Sequence, residues 1–165
     1  MVGGTMPSIA FGVLMGVVAT ATMDVLAKYS RKAGLTVGAK GRWVGRWCLG
    51  MVPGKFVHED IRTAPEEAGE ARAALIGHYA IGIVLAVVYV LGCSGLGLAP
   101  SSLAVALGYG LATCVFPCFL MFPAFGFGVF GRKGPPGSRL LWTSVLNHLY
   151  YGLGLWWVAV LLGLG

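Results

Sequence analysis

Three ionisable side chains lie inside otherwise apolar runs of this chain: Asp24, His78 and His148. Carboxylate and imidazole groups are those that proteins use for acid–base chemistry, and together they can also bind transition metals. An isolated charge in apolar surroundings is costly, so such groups are usually paired or functional. What these three can do depends on the elements that carry them and on the depth at which those elements place them.

The composition is that of a membrane protein. Of the 165 residues, 57% are hydrophobic and only 11% are charged, and the mean hydropathy is +0.80. A soluble domain could not bury so much apolar surface. The net charge of +6 comes from basic residues that border apolar runs, so it indicates attraction to anionic lipid and not binding of nucleic acid.

The apolar runs predict an all-α, polytopic membrane protein: a bundle of four transmembrane helices that forms a single membrane domain over residues 1–165. We expect spans near 7–29, 73–95, 102–128 and 140–163. Each exceeds the roughly 20 residues that a helix needs to cross a bilayer. The runs are continuous and do not alternate with polar residues, so they are helices and not barrel strands.

The third span is predicted to be irregular. Pro117 and Pro123 each remove a backbone donor and crowd the carbonyl four residues earlier.

The basic residues predict the topology. All Lys and Arg side chains fall within 28–72 and 132–139. The positive-inside rule then places the loops 30–72 and 129–139 in the cytoplasm and both termini in the periplasm. Because the charges near the first span follow it, we expect a retained span and not a cleaved signal peptide.

The long loop between spans one and two is predicted to contain a short helix that lies on the membrane surface. Arg42 and Arg46, like Trp43 and Trp47, are one helical turn apart, which is typical of interfacial anchors. Beyond this helix stand His58 and Glu59, for which a solvated turn is the default interpretation. The alternative is that this part of the loop folds under the bundle and closes its polar interior.

Small and polar residues recur every fourth position in each span, and residues four apart share a helix face. These positions are Gly12, Gly16, Thr20 and Asp24 in the first span, His78, Gly82 and Ala86 in the second, Gly110, Cys114 and Cys118 in the third, and Ser144, His148 and Gly152 in the fourth. Small residues mark helix contacts in membranes, so all four stripes are predicted to face inward.

The predicted depths of the ionisable groups agree with one another. Asp24 and His78 each lie six residues from the cytoplasmic end of their span, about 9 Å at 1.5 Å per residue. His148 lies about 13 Å from that side, with Asn147 and Tyr151 close to it. One polar layer that binds a ligand is therefore a hypothesis. Asp24, His78 and His148 could bind a metal there, or the histidines a haem, but Asp24 could also be a purely structural partner of a histidine.

The chain resembles an uncharacterised family of bacterial inner-membrane proteins with four predicted spans, a domain of unknown function. The resemblance is carried by Ala19-Thr20-Ala21-Thr22-Met23-Asp24, Gly41-Arg42-Trp43, the run from Gly54 to Ile61, His78-Tyr79-Ala80-Ile81-Gly82 and the run from Asn147 to Gly154. It implies a location in the bacterial inner membrane. It also implies that Asp24, His58, Glu59, His78 and His148 belong to the family pattern, but it implies no activity.

Three functions remain open from the sequence, and whether the protein is an enzyme is not decided. The first is a small binding or accessory protein, which is a subunit of a larger membrane complex or a homo-oligomer, or holds a lipid-like or pigment-like ligand. The second is a membrane enzyme or a metal- or haem-binding protein that uses Asp24, His78 and His148. The third is a small proton-coupled transporter.

Overall fold

The computed structural model describes residues 5–37, 41–136 and 139–165, and these are helical with connecting turns and loops. The helices are α1 (Thr5–Lys32), α2 (Gly41–Met51), α3 (Glu70–Leu96), α4 (Leu103–Ala112), α5 (Phe122–Ala124) and α6 (Leu140–Leu161). The predicted all-α class is confirmed, as is the short helix in the loop between the first two spans. Its first residue follows a stretch, 38–40, that lies outside the described residues.

Three stretches of the described residues are long and apolar enough to cross a membrane: Ile9–Lys32, Glu70–Leu96 and Leu103–Ala124. They correspond to the first three predicted spans. The fourth, α6, has 22 residues, which is sufficient length. It is not among the three stretches whose hydropathy is that of a membrane span, and polar side chains, Asn147 and His148 among them, lie near its middle. Three apolar helices are therefore established, and the fourth span stays a prediction.

The third apolar stretch is irregular, as its prolines predict. Helix α4 ends at Ala112, and a π-helical turn, Pro117–Met121, precedes the three residues of α5. Pro117 stands at the first position of the π-helical turn and Pro123 within α5, where proline's missing amide hydrogen disturbs an α-helical ladder.

The chain divides into two compact units. Unit 1 comprises the described residues of Met1–Lys28, together with Tyr79–Thr113 and Leu146–Gly165. Its core contains Met15 and Ala19 of α1, Tyr89 of α3, Ala106 of α4 and Leu155 of α6. Four helical segments thus contribute side chains to one apolar cluster.

Small residues let the helices of unit 1 pack closely. A Cβ on Gly82 of α3 would collide with the hydroxyl of Thr20 in α1. A Cβ on Gly152 of α6 would lie 2.6 Å from the carbonyl oxygen of Ala106 in α4. Both glycines belong to the predicted stripes, so the interpretation of those stripes as helix contacts is confirmed at these positions.

Unit 2 comprises the described residues of Tyr29–His78 and Cys114–Val145. Its core is aromatic: Phe125 and Phe127 are fully buried, and Trp43 and Trp47 of α2 meet them edge to face. Ile61, from the loop that follows α2, completes this cluster.

A buried ion pair holds that loop in unit 2. The Nε of Arg46 donates to the Glu70 carboxylate at 2.8 Å, and its Nη2 donates to the same group at 3.2 Å. Its Nη1 donates to the carbonyl oxygens of Ile61, at 3.1 Å, and Ala64, at 2.6 Å. Both charged side chains are about one-twentieth exposed. Arg46 thereby joins α2, the loop and the first turn of α3.

We predict that Gly152→Ala destabilises the protein. The added methyl group would meet backbone of α4, so the helices must separate at a cost of about 1 to 3 kcal/mol. Unfolding in mixed detergent micelles measures the effect. The control is Gly92→Ala in α3, where a Cβ would meet nothing within 4 Å, and this variant should be unchanged or slightly more stable. Equal losses in both variants would contradict the packing argument.

We also predict that Arg46→Ala lowers the free energy of unfolding by about 3 kcal/mol, because it leaves Glu70 buried without its cation. Arg42→Ala serves as the control, since Arg42 is exposed one turn earlier on the same helix. That variant should stay within about 0.5 kcal/mol of the wild type. Similar behaviour of the two variants would show that the ion pair does not stabilise unit 2.

Candidate functional site

The structure corrects the predicted orientation of Asp24. Gly12, Gly16 and Thr20 of the stripe are buried, but Asp24 is exposed. The reason is geometric: an α-helix has 3.6 residues per turn, so a spacing of four drifts by about 40° at each step. Three steps rotate Asp24 about 120° from Gly12. The Oη of Tyr79 donates to its carboxylate at 3.4 Å.

His148 is half-buried and bonded to Thr113, a residue that the sequence did not single out. The Thr113 hydroxyl donates to the Gly110 carbonyl at 2.6 Å and lies 2.7 Å from Nδ1 of His148. Because the hydroxyl has one proton, it accepts the hydrogen of Nδ1. The imidazole is thus held as the tautomer that is protonated on Nδ1.

The neighbours of His148 in α6 differ in their surroundings. Tyr151 is buried, and its hydroxyl donates to the Gly82 carbonyl at 2.6 Å, which ties α6 to α3 within unit 1. Asn147 is half-buried, and its Oδ1 has no hydrogen-bond partner among the described residues. His78 is half-buried and belongs to unit 2.

Metal binding by Asp24, His78 and His148 stays a prediction. Within residues 5–37, 41–136 and 139–165, no three side chains of His, Cys, Asp or Glu are grouped so that they could hold a metal ion. The haem hypothesis likewise rests on the sequence alone.

The predicted membrane anchors of α2 require a correction. Trp43, Arg46 and Trp47 are each less than one-tenth exposed, so they pack inside unit 2 and do not reach lipid headgroups. The indole Nε1 of Trp47 donates to the Phe56 carbonyl at 2.8 Å. Arg42 is exposed, and its role as an anchor stays a prediction. The spacing revealed the helix, but not the partners that its inner face would find.

His58 also departs from its default interpretation, because it is buried and not in a solvated turn. Its backbone amide donates to the Ala124 carbonyl at 2.8 Å, and that of Ile61 donates to Phe125 at 3.0 Å. These bonds hold the loop against the end of the third apolar stretch. Glu59, by contrast, is exposed. The loop is therefore folded within unit 2, and the closure of a polar interior of the bundle by this loop stays a prediction.

The His58 imidazole is buried without a hydrogen-bond partner for either ring nitrogen among the described residues. Burial lowers its pKa below the ordinary value of 6.5, and the positive charges of Lys55 and Arg46 lower the pKa further. The imidazole is thus neutral at pH 7 and carries one donor and one acceptor. A buried donor and a buried acceptor that both lack a hydrogen-bond partner are uncommon in folded proteins and need an explanation.

A polar pocket of about 390 Å³ adjoins this imidazole. Its lining combines Arg46, Lys55, His58 and Glu67 with apolar or small residues, among them Leu49, Val52 and Pro53. Charges of both signs therefore border one cavity of the size that small-molecule sites have. We call it the polar pocket.

An apolar groove of about 430 Å³ lies in the same unit. Its lining includes Trp47 and Met51 of α2, Phe56 and Val57 of the loop, and Phe119 and Leu120 of the π-helical turn. Helix α2 and the 55–58 segment border both cavities: Lys55 and His58 line the pocket, whereas Phe56 and Val57 line the groove. We refer to it as the apolar groove.

The sequence identified His58 as a candidate, but it did not indicate the groove or the position of Lys55 and Glu67 on the lining of the pocket. Phe119 and Leu120 carry no pattern that separates them from other apolar residues of a span. Lys55 and Glu67 are twelve positions apart, and only the folded loop brings them to one cavity.

Comparison with known proteins gives a family and no activity. No curated protein and no solved structure matches the chain significantly. One family model matches residues 13–162, nearly the whole chain, including α2, the loop and the site residues described above. This bears out the resemblance to an uncharacterised family. The chain belongs to the family described as "Protein of unknown function (DUF2938)".

Proposed function

We propose that this is a small integral protein of the bacterial inner membrane that binds a lipid, as a binding or accessory component, through the apolar groove of unit 2. In this proposal α6 is the fourth span of a bundle. The loops 30–72 and 129–139 face the cytoplasm, and both termini face the periplasm. The distribution of basic residues supports that orientation.

The observation that carries the proposal is the groove beside the polar pocket. Phe56, Val57, Phe119 and Leu120 all line the groove and are all more than half exposed. Two of them belong to Leu103–Ala124, a stretch apolar enough to lie in the bilayer, so lipid is the molecule available to cover them. An acyl chain in the groove and a headgroup in the pocket would match the polarity of both cavities.

A scattered apolar surface would not support this proposal, because every membrane protein presents one to lipid. The groove differs in being a concavity of about 430 Å³ that is bordered by α2, the loop and the π-helical turn. The 55–58 segment is tied by Lys55, whose amide donates to Gly50 at 2.8 Å, and by His58, whose amide donates to Ala124 at 2.8 Å. A preformed concave site loses less conformational entropy on binding than a mobile loop does.

The topology is tested by labelling with a membrane-impermeant maleimide. Val52→Cys lies in the predicted cytoplasmic loop and is 86% exposed in the wild type, whereas Leu98→Cys lies in the predicted outer loop. We expect labelling of position 52 only in inverted vesicles and of position 98 only in intact spheroplasts. The wild-type protein controls for its native thiols. Labelling of both positions from one side would contradict the orientation.

Lipid binding is tested by filling the groove. We expect Leu120→Trp to lower the fraction of purified protein that retains a phospholipid, seen by native mass spectrometry, by about tenfold, the effect of losing roughly 1.4 kcal/mol of binding free energy. The matched control is Val115→Trp, since Val115 is 50% exposed in the same stretch but does not line the groove. This variant should retain lipid like the wild type.

Two results would contradict the proposal. Equal lipid retention by both tryptophan variants would mean that only non-specific boundary lipid is bound. A protein subunit that co-purifies from mild detergent and is released by Leu120→Trp would mean that the groove is a protein interface, as in the accessory-subunit alternative.

A further inference from the structure

We infer that the polar pocket binds the headgroup of the bound lipid, and that it selects a zwitterionic phosphate–ammonium headgroup such as phosphoethanolamine. The inference rests on the proposed function, because the headgroup is taken to belong to the lipid whose acyl chain occupies the groove.

The phosphate end is assigned to the side of the pocket that carries Lys55 and His58. The Lys55 ammonium is exposed and able to approach a phosphate oxygen, and the neutral His58 offers one N–H donor. Arg46 also lines the pocket, but its charge is already paired with the Glu70 carboxylate and its guanidinium donates to two carbonyls, so the phosphate is assigned to Lys55 and His58.

The ammonium end is assigned to Glu67. Its side chain is exposed and lines the same pocket as Lys55 and His58. The two other nearby carboxylates lie close to Arg46: that of Glu70 accepts hydrogen bonds from it, and Oε1 of Glu66 lies 3.9 Å from its Nη2. A purely anionic headgroup would leave Glu67 facing a like charge, whereas a zwitterion satisfies both signs.

The buried imidazole is the second, independent observation that points to a ligand. Surface charges alone are common and would not define a site. His58 is about nineteen-twentieths buried, adjoins the pocket and has no hydrogen-bond partner among the described residues. A phosphate oxygen that accepts its N–H would account for a polar group that burial otherwise makes costly.

The test uses the full-length protein in detergent, with an equimolar mixture of phosphatidylethanolamine, phosphatidylglycerol and phosphatidylcholine, read by native mass spectrometry. We expect the wild type to retain phosphatidylethanolamine about fivefold over phosphatidylglycerol, as one additional charge pair implies. We also expect it to exceed phosphatidylcholine, whose quaternary ammonium has no N–H to donate.

Glu67→Gln should abolish the preference over phosphatidylglycerol without reducing total lipid retention. Lys55→Ala should weaken retention of all three phospholipids. The matched control is Glu59→Gln, because Glu59 is an exposed carboxylate of the same loop that does not line the pocket. The control variant should keep the wild-type preference.

The outcomes separate this inference from the proposed function. Equal retention of the three lipids by the wild type, with loss in Leu120→Trp, would overturn the headgroup assignment alone. No retained lipid at all would overturn both. Binding of soluble phosphoethanolamine that persists in Leu120→Trp would overturn the lipid source and assign the pocket to a free metabolite of the same chemistry.

Discussion

The side chain of Arg46 is the interaction on which unit 2 depends. A buried guanidinium is costly unless it is paired and hydrogen-bonded, and here four of its five N–H groups bind one carboxylate and two loop carbonyls. The same side chain supplies hydrogen-bond donors to two loop carbonyls, which have no partner from regular secondary structure. Gly45 supports this arrangement, since a Cβ there would collide with the carbonyl of Glu70. Helix α2 is therefore fastened within unit 2.

The two units are stabilised in different ways. In unit 1, small residues bring helix backbones together, and tyrosine hydroxyls donate to backbone carbonyls. Tyr109 donates to the Leu85 carbonyl at 2.6 Å, and Tyr89 donates to that of Pro100 at 2.8 Å. The Leu85 carbonyl lies within α3 and has two lone pairs, so it can accept this bond beside an intrahelical one. In unit 2, edge-to-face aromatic contacts and the buried ion pair of Arg46 and Glu70 stabilise the packing. The two cavities described above are lined by residues of unit 2, the loop-rich unit.

Much of the helical structure could be predicted because it follows local rules. Apolar runs located α1, α3 and α6 within a few residues, and the third run, predicted over 102–128, covers α4 together with the irregular turns that follow it. The arginine and tryptophan spacing located α2. Proline chemistry likewise indicated the irregular third stretch. These features depend on residues close together in sequence.

The site could be predicted only in part, because it depends on contacts between distant residues. The His58 amide donates to the carbonyl of Ala124, 66 positions later, and this contact places the imidazole in the interior. No sequence pattern near His58 predicts the contact. Asp24 was misjudged for a different reason: a spacing of four approximates one helix face over two turns and fails over three. The polar residues that the fold assembles around the pocket, Lys55 and Glu67, are ordinary loop residues when seen in isolation.

The π-helical turn at Pro117–Met121 has a consequence for how this family can change over evolutionary time. Such a turn holds one residue more than the α-helical turn it replaces, and so rotates everything beyond it by about 100°. Phe122 and Phe125 reach the aromatic core of unit 2 only in that rotated setting. Deleting a single residue of the turn would rotate both phenylalanines away from their partners, so the length of this stretch is constrained as well as its sequence.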